Sequence, residues 1–221
     1  MLTDARSVPA QERLRTVMFE LLLRLAKSVT QRKQRMVFLV NNYDAILSAF
    51  REASKSVALD AGLEGADTCA DFTFFDEQLT AQIHLLVDDE LADQFNPLIT
   101  FVQRAEEAYK QQEHSGAPLP QFSAEDAEPV LRDFGMRWQM SVEEIHRSIS
   151  ASFGNSQRAM DLLQRTLSQL LLFYTRLTGP EGVLAVHCGP EGAALCRNAV
   201  PTGTILTEIR RLLQHRPAGH A

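Results

Sequence analysis

The sequence lacks any apolar run that approaches the length of a membrane-spanning helix. Such a helix needs about 20 consecutive, mostly apolar residues. The apolar clusters at residues 21–23 and 170–173 are short, and Arg24 and Arg176 flank them. Residues 1–12 also lack the basic-then-apolar layout of a signal peptide. We therefore expect the chain to stay on the cytosolic side of membranes.

Cysteine is scarce, which excludes small domains stabilised by disulfide bonds or by a structural zinc ion. The three cysteines, Cys69, Cys188 and Cys196, are too few and too scattered for a disulfide framework. His187 stands beside Cys188, but a structural zinc site usually takes four ligands with closely spaced pairs. The sequence predicts a reducing compartment and no bound metal.

Catalytic motifs are also missing. There is no GxSxG, HExxH, phosphate-binding glycine loop or dinucleotide fingerprint. Residues 143–146 contain one Glu-x-x-His spacing, whereas a di-iron bundle needs that spacing twice together with two further glutamates. The acids at 88–90 and 106–107 are interpreted as surface groups. We expect no catalytic, cofactor-binding or metal-binding residue, and hence a protein that is not an enzyme.

Charge is distributed unevenly along the chain. Residues 1–55 hold 10 basic and 5 acidic side chains, residues 56–130 hold 2 and 16, and residues 131–221 hold 10 and 7. This asymmetry either steers partners electrostatically or reflects helix faces that attract one another inside the fold. Nucleic-acid binding is disfavoured, because the formal net charge is −6 and the basic residues lack interleaved aromatic residues.

Apolar residues recur at helical spacing near the N-terminus. Leu14, Met18, Leu21, Leu25 and Val29 form one stripe, which predicts a helix over residues 10–29 with that face buried. A second pattern covers residues 36–53. The polar interval at 31–35 leaves two possibilities, one helix of about 40 residues or two collinear helices.

The same period continues through the rest of the chain. It predicts helices over 71–93 and 96–113, with Asp71 and Asn96 as N-caps, and then over 123–153, 156–178 and 202–214. Asn155 is the predicted cap of the helix over 156–178, and Trp138 is predicted to lie in the core. Residues 58–70, 114–122 and 179–201 are predicted loops, and residues 183–186 are the one candidate strand.

The chain is therefore predicted to be all-α, with its helices packed as an elongated antiparallel bundle. Its expected segments are 1–55 (a basic helix or helix pair), 56–122 (an acidic helical hairpin) and 123–221 (a C-terminal bundle), in one continuous rod.

The second helical pattern carries polar residues at its middle. Asn41, Asn42 and Asp44 are poor helix formers, because their side chains compete for backbone hydrogen bonds. They are either a polar flank that fixes the register of a buried helix or part of a surface that binds a partner.

Four segments resemble one known family. Phe38-Leu-Val-Asn-Asn-Tyr-Asp44 after the basic run 31–35 is similar to the FLxNNYD helix of the vacuolar protein sorting 52 family. Phe134-Gly-Met-Arg-Trp138 with Val142-Glu-Glu resembles its FGxxWxxxVE helix, and the segments at 153–156 and 212–217 resemble the family's later parts. The resemblance covers most of the chain and only the C-terminal part of a family member. Residues 57–71 and 179–201 depart from the pattern.

The resemblance implies a function that depends on contacts between proteins and involves no catalysis. The family supplies one subunit of the Golgi-associated retrograde protein (GARP) complex, which tethers vesicles in endosome-to-trans-Golgi transport and is built from helical rods. It implies peripheral membrane association on the cytosolic face of the trans-Golgi network and endosomes, through other rod subunits, a Rab-type GTPase and SNARE proteins. The expected partner surface contains six polar side chains: Arg32, Lys33, Arg35, Asn41, Asn42 and Asp44.

Two other functions stay open at this point. The chain could be a cytosolic scaffold or adaptor of another trafficking complex, of the exocyst or conserved oligomeric Golgi type. It could also be a helical-bundle ligand carrier or enzyme, which predicts a polar constellation inside the bundle. The identity of the bound partner separates the tether from the scaffold.

Overall fold

The computed structural model describes residues 7–61, 70–115, 123–154 and 156–214, and every regular element in those ranges is an α-helix. The predicted all-α bundle is confirmed for this part of the chain. Contacts divide the chain into two compact units, Met1–Leu86 and Val87–Ala221, with the boundary inside the third helix. The helices are α1 (Ser7–Ser28), α2 (Arg32–Ala61), α3 (Ala70–Ser115), α4 (Ala124–Phe153), α5 (Gln157–Thr178), α6 (Val183–His187), α7 (Gly189–Asn198) and α8 (Thr202–Gln214).

The chain reverses direction between α1 and α2. The ring centroids of Phe19 and Tyr43 lie 6.4 Å apart, whereas on collinear helices the same two residues would be separated by about 36 Å. The expectation of one long helix or two collinear helices is therefore wrong. Val29, Thr30 and Gln31 lie outside the two helices, where the chain turns, and the two apolar faces can then pack against each other.

Aromatic rings form much of the core of the first unit. Phe19 meets Phe74 edge-on at 5.2 Å, and Phe75 lies 6.0 Å from Tyr43. Because these rings come from α1, α2 and the first part of α3, they hold three helices together. The spacing in α2 predicts a buried face of Met36, Leu39, Tyr43, Ile46 and Phe50. The first three are buried, as are Val40 and Leu47, whereas Ile46 and Phe50 are half-buried.

The stripe predicted to bury α1 is mostly on the outside. Leu14, Leu21 and Leu25 are exposed, while Ala26 is buried and Phe19 packs into the core. The prediction of a buried face through these leucines is wrong. Periodicity identifies an amphipathic helix, but α1 has apolar residues on two faces, and periodicity alone does not say which one the domain covers.

Helix α3 contains the predicted restart before its proline. Phe95 has non-helical backbone angles (φ −128°, ψ 24°), and Asn96 and Pro97 follow it. Proline is tolerated there because it lies in the first turn of the second helical segment, where its missing N–H has no intrahelical partner. Asp71, predicted as an N-cap, instead lies in the first turn of α3 and pairs with Arg15.

In the second unit, α4 and α5 form the core that their period predicts. Ser123 caps α4 in a capping box with Asp126, and Trp138 is only 4% exposed. Phe134 stacks on Tyr174 of α5 with centroids 4.5 Å apart. The N-cap of α5 is Ser156, whose hydroxyl accepts from the backbone N–H of Ala159. Asn155, predicted for that role, lies outside the described residues.

Residues 179–201 form two short helices, so the predicted loop and the candidate strand at 183–186 are both wrong. Glycine makes this compact turn possible. A Cβ added to Gly192 would lie 2.2 Å from the backbone oxygen of Leu184. Gly189 has a φ of +56°, in the left-handed region that glycine adopts without strain. Close approach of backbones at glycine leaves no periodic signal in the sequence.

Helix α8 closes the second unit. It starts at Thr202, and the backbone carbonyl of Pro201 accepts a hydrogen bond from the N–H of Thr204 at 2.9 Å. Ile205, Ile209 and Leu212 are buried, as a three-four spacing predicts for one covered face.

Candidate partner-binding surface

All six predicted partner residues belong to α2, which begins at Arg32. Their exposure differs: the side chains of Arg32 and Asn41 are exposed, and the remaining four are half-buried. Those four are Lys33, Arg35, Asn42 and Asp44. A partner would therefore reach them at the margins of the helix as well as on its outer face.

Helix geometry separates the half-buried four into two edges. At about 100° per residue, Arg35 and Asn42 lie on one side of the buried face, and Lys33 and Asp44 lie on the other. The two edges are about 180° apart around the helix axis. Because a single partner helix touches one side of α2, these four residues form two narrow candidate surfaces, and the exposed Arg32 and Asn41 lie outside both.

Asn42 has a structural role in addition to any role in binding. Its Nδ2 donates a hydrogen bond of 2.7 Å to the backbone oxygen of Phe38, one turn earlier. This bond satisfies the side-chain amide within the helix, which explains how a poor helix former is tolerated there. The interpretation of Asn42 as a polar flank of a buried helix therefore has direct structural support.

Arg35 lies in the first turn of α2 and has one side-chain donor without an acceptor among the described residues. Its backbone N–H donates to Gln31 at 3.0 Å, and its Nη2 lies 3.5 Å from the backbone oxygen of Thr30. Its Nε is buried and has no acceptor among the described residues. A buried guanidinium N–H without an acceptor is costly, so this position lowers the stability of α2 slightly.

Reactive side chains gather at one place in the second unit. The ring of His187 stacks on Tyr109 with centroids 3.3 Å apart. Cys188 and Cys196 are not joined by a disulfide bond, and burial raises the pKa of both thiols. Within the described ranges, no three His, Cys, Asp or Glu side chains are grouped closely enough to hold a metal ion. Cys69 lies outside these ranges.

The single Glu-x-x-His spacing is part of a surface ion pair. Glu143 receives Nη2 of Arg211 from α8 at 3.4 Å, and both side chains are about half exposed. This arrangement connects α4 to α8. It is ordinary surface chemistry, which contributes about 0–1 kcal/mol to stability.

A charged groove of about 800 Å³ lies along the second part of α3. The guanidinium of Arg176 forms a two-bond ion pair with the carboxylate of Glu106 there. Drug-sized ligand sites are mostly lined by apolar and aromatic side chains, whereas this groove is lined by Gln103, Arg104, Glu106, Glu107, Ala108, Lys110, Gln111 and Arg176. Its chemistry suits a polar protein surface better than a carrier's pocket.

Sequence reasoning missed a second candidate surface, the outer apolar row of α1. Leu14, Leu21 and Leu25 were recognised as periodic but were assigned to the core, and Val17, which completes the row, was not in the predicted stripe. No residue-level signal could have corrected this, since exposure depends on which face the rest of the unit covers. In the described part of the chain, no helix combines the length and apolarity needed to cross a membrane.

Comparison with known proteins identifies relatives. Residues 4–62 match the family model described as "Vps52, C-terminal". The vacuolar protein sorting-associated protein 52 A of Arabidopsis thaliana is 36% identical over 201 residues, which is 90% of this chain and 26% of that protein. The Homo sapiens homologue of vacuolar protein sorting-associated protein 52 is 28% identical over 156 residues, 70% of this chain and 19% of that protein. The chain thus spans about a quarter of the Arabidopsis relative's length. No solved structure matches it.

Proposed function

We propose a vesicle-tethering function for this chain, which belongs to the vacuolar protein sorting 52 family and corresponds to part of its C-terminal region. It acts as a non-enzymatic part of a GARP-type complex in transport from endosomes to the trans-Golgi network. The observation that carries this proposal is the match to the Arabidopsis thaliana protein over 90% of the chain.

The packing of the motif residues is compatible with a scaffold role, in which the helical structure holds binding surfaces in place. Phe134 and Trp138, on which much of the resemblance depends, are buried and stack on one another with centroids 6.4 Å apart. Tyr43 of the N-terminal motif is also buried. Residues of this kind preserve a helical scaffold, so contacts with partners must come from the polar residues and surfaces around them.

The proposed partners are other rod subunits, a Golgi Rab-type GTPase and SNARE proteins, with membrane association through these partners. Location on the cytosolic face of the trans-Golgi network and endosomes follows from that association. The proposed contact sites on α2 are its two edges, formed by Arg35 with Asn42 and by Lys33 with Asp44, together with the exposed side chains of Arg32 and Asn41. Arg35 and Asn42 are half-buried, so part of each side chain stays accessible for such a contact.

A quantitative pull-down tests the function. The tagged chain is expressed in cells of its source organism, and bound proteins are identified by mass spectrometry. Recovery of several rod subunits, or of a Golgi Rab GTPase, is expected. Enrichment of exocyst or conserved oligomeric Golgi subunits instead would contradict the proposal and favour the scaffold alternative.

Edge variants then test the surface. Arg35→Ala with Asn42→Ala removes one edge, and Lys33→Ala with Asp44→Ala removes the other. We expect one pair to reduce recovery of a partner at least fivefold while the melting temperature stays within about 2 °C. Gln34→Ala, at an exposed position on the outer face of α2 that is not among the six, serves as the comparison within the same helix. If both pairs leave recovery unchanged, α2 is not the contact surface.

A further inference from the structure

Helix α1 presents a row of apolar side chains to solvent. Leu14, Val17, Leu21 and Leu25 are 60%, 61%, 53% and 47% exposed. Their spacing of three, four and four residues puts them on one face of the helix. Single exposed apolar residues are ordinary, but a contiguous row of four marks an interaction surface.

The opposite face of α1 is held firmly by its own unit. Ala26 is buried, Phe19 packs against Tyr43 and Phe74, and Arg15 pairs with Asp71 at 2.9 Å. These contacts fix the rotation of α1 about its axis. The outer row is therefore presented in a defined orientation, and binding there would cost little additional ordering of the chain.

The row is narrow. At about 100° per residue its four members fall within an arc of about 80°, which is close to a coiled-coil seam and less than the arc of about 100° or more of a helix face that packs on a protein core. A membrane-surface helix buries its apolar face about 5–10 Å deep. Since the inner half of α1 is packed on its own unit, one partner helix fits this row better than a bilayer does.

Basic side chains follow one flank of the row. Arg13, Arg24 and Lys27 are exposed on that side, with Glu20 as the acid among them, paired to Arg24 at 3.1 Å. Charged residues beside an apolar seam select partner helices by opposite charge. The excess of cations here selects a helix whose adjoining flank is acidic.

We propose that the outer face of α1 docks an amphipathic α-helix of a partner protein, one with an apolar seam at three-four spacing and Asp or Glu along its flank. The inference deepens the tether proposal by naming a contact surface, and it rests on that proposal for the expectation of a helical protein partner. The surface is separate from the edges of α2.

Site-specific crosslinking identifies the occupant. A photoreactive benzoylphenylalanine replaces Val17 in the tagged chain, which is expressed in cells of its source organism, and the crosslinked segment is sequenced by mass spectrometry. We expect one segment with apolar residues at three-four spacing and a net negative flank. Crosslinks to a basic segment, to lipid or to a second copy of this chain would overturn the inference. So would a yield no higher than that from the same probe at Gln164, an exposed position of α5.

Binding of designed peptides tests the charge selection directly. Two synthetic helices share a leucine seam and differ only in carrying glutamate or lysine on the flanks, and their binding to the whole chain is followed by fluorescence anisotropy. The glutamate peptide should bind at least tenfold more tightly, and Leu21→Ser with Leu25→Ser should abolish this binding. Arg24→Glu with Lys27→Glu should reverse the preference. Equal binding of the two peptides by the unaltered chain would overturn the inference.

Two controls separate the remaining outcomes. The substituted side chains are exposed, so all variants should keep the melting temperature of the unaltered chain. Co-sedimentation with vesicles of phosphatidylcholine and phosphatidylserine tests a membrane role. If the unaltered chain sediments with the vesicles and the Leu21→Ser, Leu25→Ser variant does not, the inference is overturned.

The pull-down distinguishes this inference from the tether proposal. If rod subunits are recovered equally by the unaltered chain and by the double serine variant, the tether function stands and the docking surface on α1 fails. If Val17 crosslinks to an acidic amphipathic helix of a protein unrelated to tethering complexes, the surface stands and the tether function fails.

Discussion

The guanidinium of Arg15 donates a hydrogen bond of 2.9 Å to the carboxylate of Asp71 and lies 5.2 Å from the ring centroid of Phe74. This contact joins a basic residue of the N-terminal segment to an acidic residue of the middle segment. Arg176 and Glu106 make a comparable pair in the second unit. Part of the uneven charge along the sequence therefore acts inside each unit, as the intramolecular interpretation expects.

Loss of the Arg15–Asp71 pair should loosen α1. Both side chains are about one-fifth exposed, so the pair is shielded more than an ordinary surface ion pair. Asp71→Asn should lower the free energy of unfolding by about 1 kcal/mol, measured by urea denaturation. Glu52→Gln removes the carboxylate of the exposed pair with Lys55 and should cost less than about 0.5 kcal/mol. Equal losses in the two variants would show that burial adds nothing to the Arg15 contact.

Substitution of two glycines by alanine should have opposite effects on the free energy of unfolding. In Gly192→Ala the new Cβ would lie 2.2 Å from the backbone oxygen of Leu184 and 2.6 Å from Cβ of Cys188, which forces α6 and α7 apart. We expect a loss of about 1–3 kcal/mol, the usual cost of overpacking. Gly203 of α8 has nothing within 4 Å of an added Cβ, so Gly203→Ala should be neutral or stabilising by up to about 1 kcal/mol. Thermal unfolding of both variants checks the pair, and a stable Gly192→Ala would contradict the close approach.

The core of the second unit was predictable because local and tertiary preferences agree there. The seam from Leu163 to Leu177 repeats at three-four spacing, Ser123 caps α4, and Trp138 lies on the same stripe as Phe134. Each of these features is encoded within a few residues of its neighbours. A single sequence therefore carries enough information to assign the helices and most of their buried faces.

What could not be predicted depends on contacts between distant residues. Nothing near Leu14 or Leu21 indicates that Phe19 will meet Tyr43 on the other face of α1. The fold at 183–198 depends on the missing side chain of Gly192, which a pattern search takes as a sign of a loop. The candidate residues of α2 were found from composition, but their division into two edges needed the position of the buried face.

Tyr174 contributes a buried hydrogen bond to the second unit. Its hydroxyl donates to the backbone oxygen of Val200 at 2.6 Å, and the residue is 1% exposed. Burial raises the pKa of this phenol to about 12, so the donor stays protonated at physiological pH. Tyr174→Phe leaves the Val200 carbonyl without this donor and should cost about 1–2 kcal/mol in urea denaturation. Phe134→Leu serves as a comparison, because it removes ring stacking on Tyr174 while the hydrogen bond remains. A neutral Tyr174→Phe would mean that water replaces the hydroxyl at Val200.

The stack of His187 on Tyr109 should make stability depend on pH. Burial lowers the pKa of His187 in the folded chain, whereas in the unfolded chain it should be close to 6.5. At pH values below about 6.5 the unfolded chain then binds more protons than the folded chain, so acid favours unfolding. The contribution of neutral His187 is fully present above that pH and is lost as the pH falls through the folded pKa.

Removal of the imidazole isolates this effect. The free energy of unfolding of the unaltered chain should fall more steeply between about pH 7 and 5 than that of His187→Gln, measured by urea denaturation at a series of pH values. The other titrating groups are common to both chains, so the difference between the two slopes belongs to His187. Tyr109→Leu should also reduce the difference, since it removes the ring that covers the imidazole. Parallel pH profiles for the unaltered chain and His187→Gln would mean that the imidazole remains as accessible to protons in the folded state as in the unfolded state.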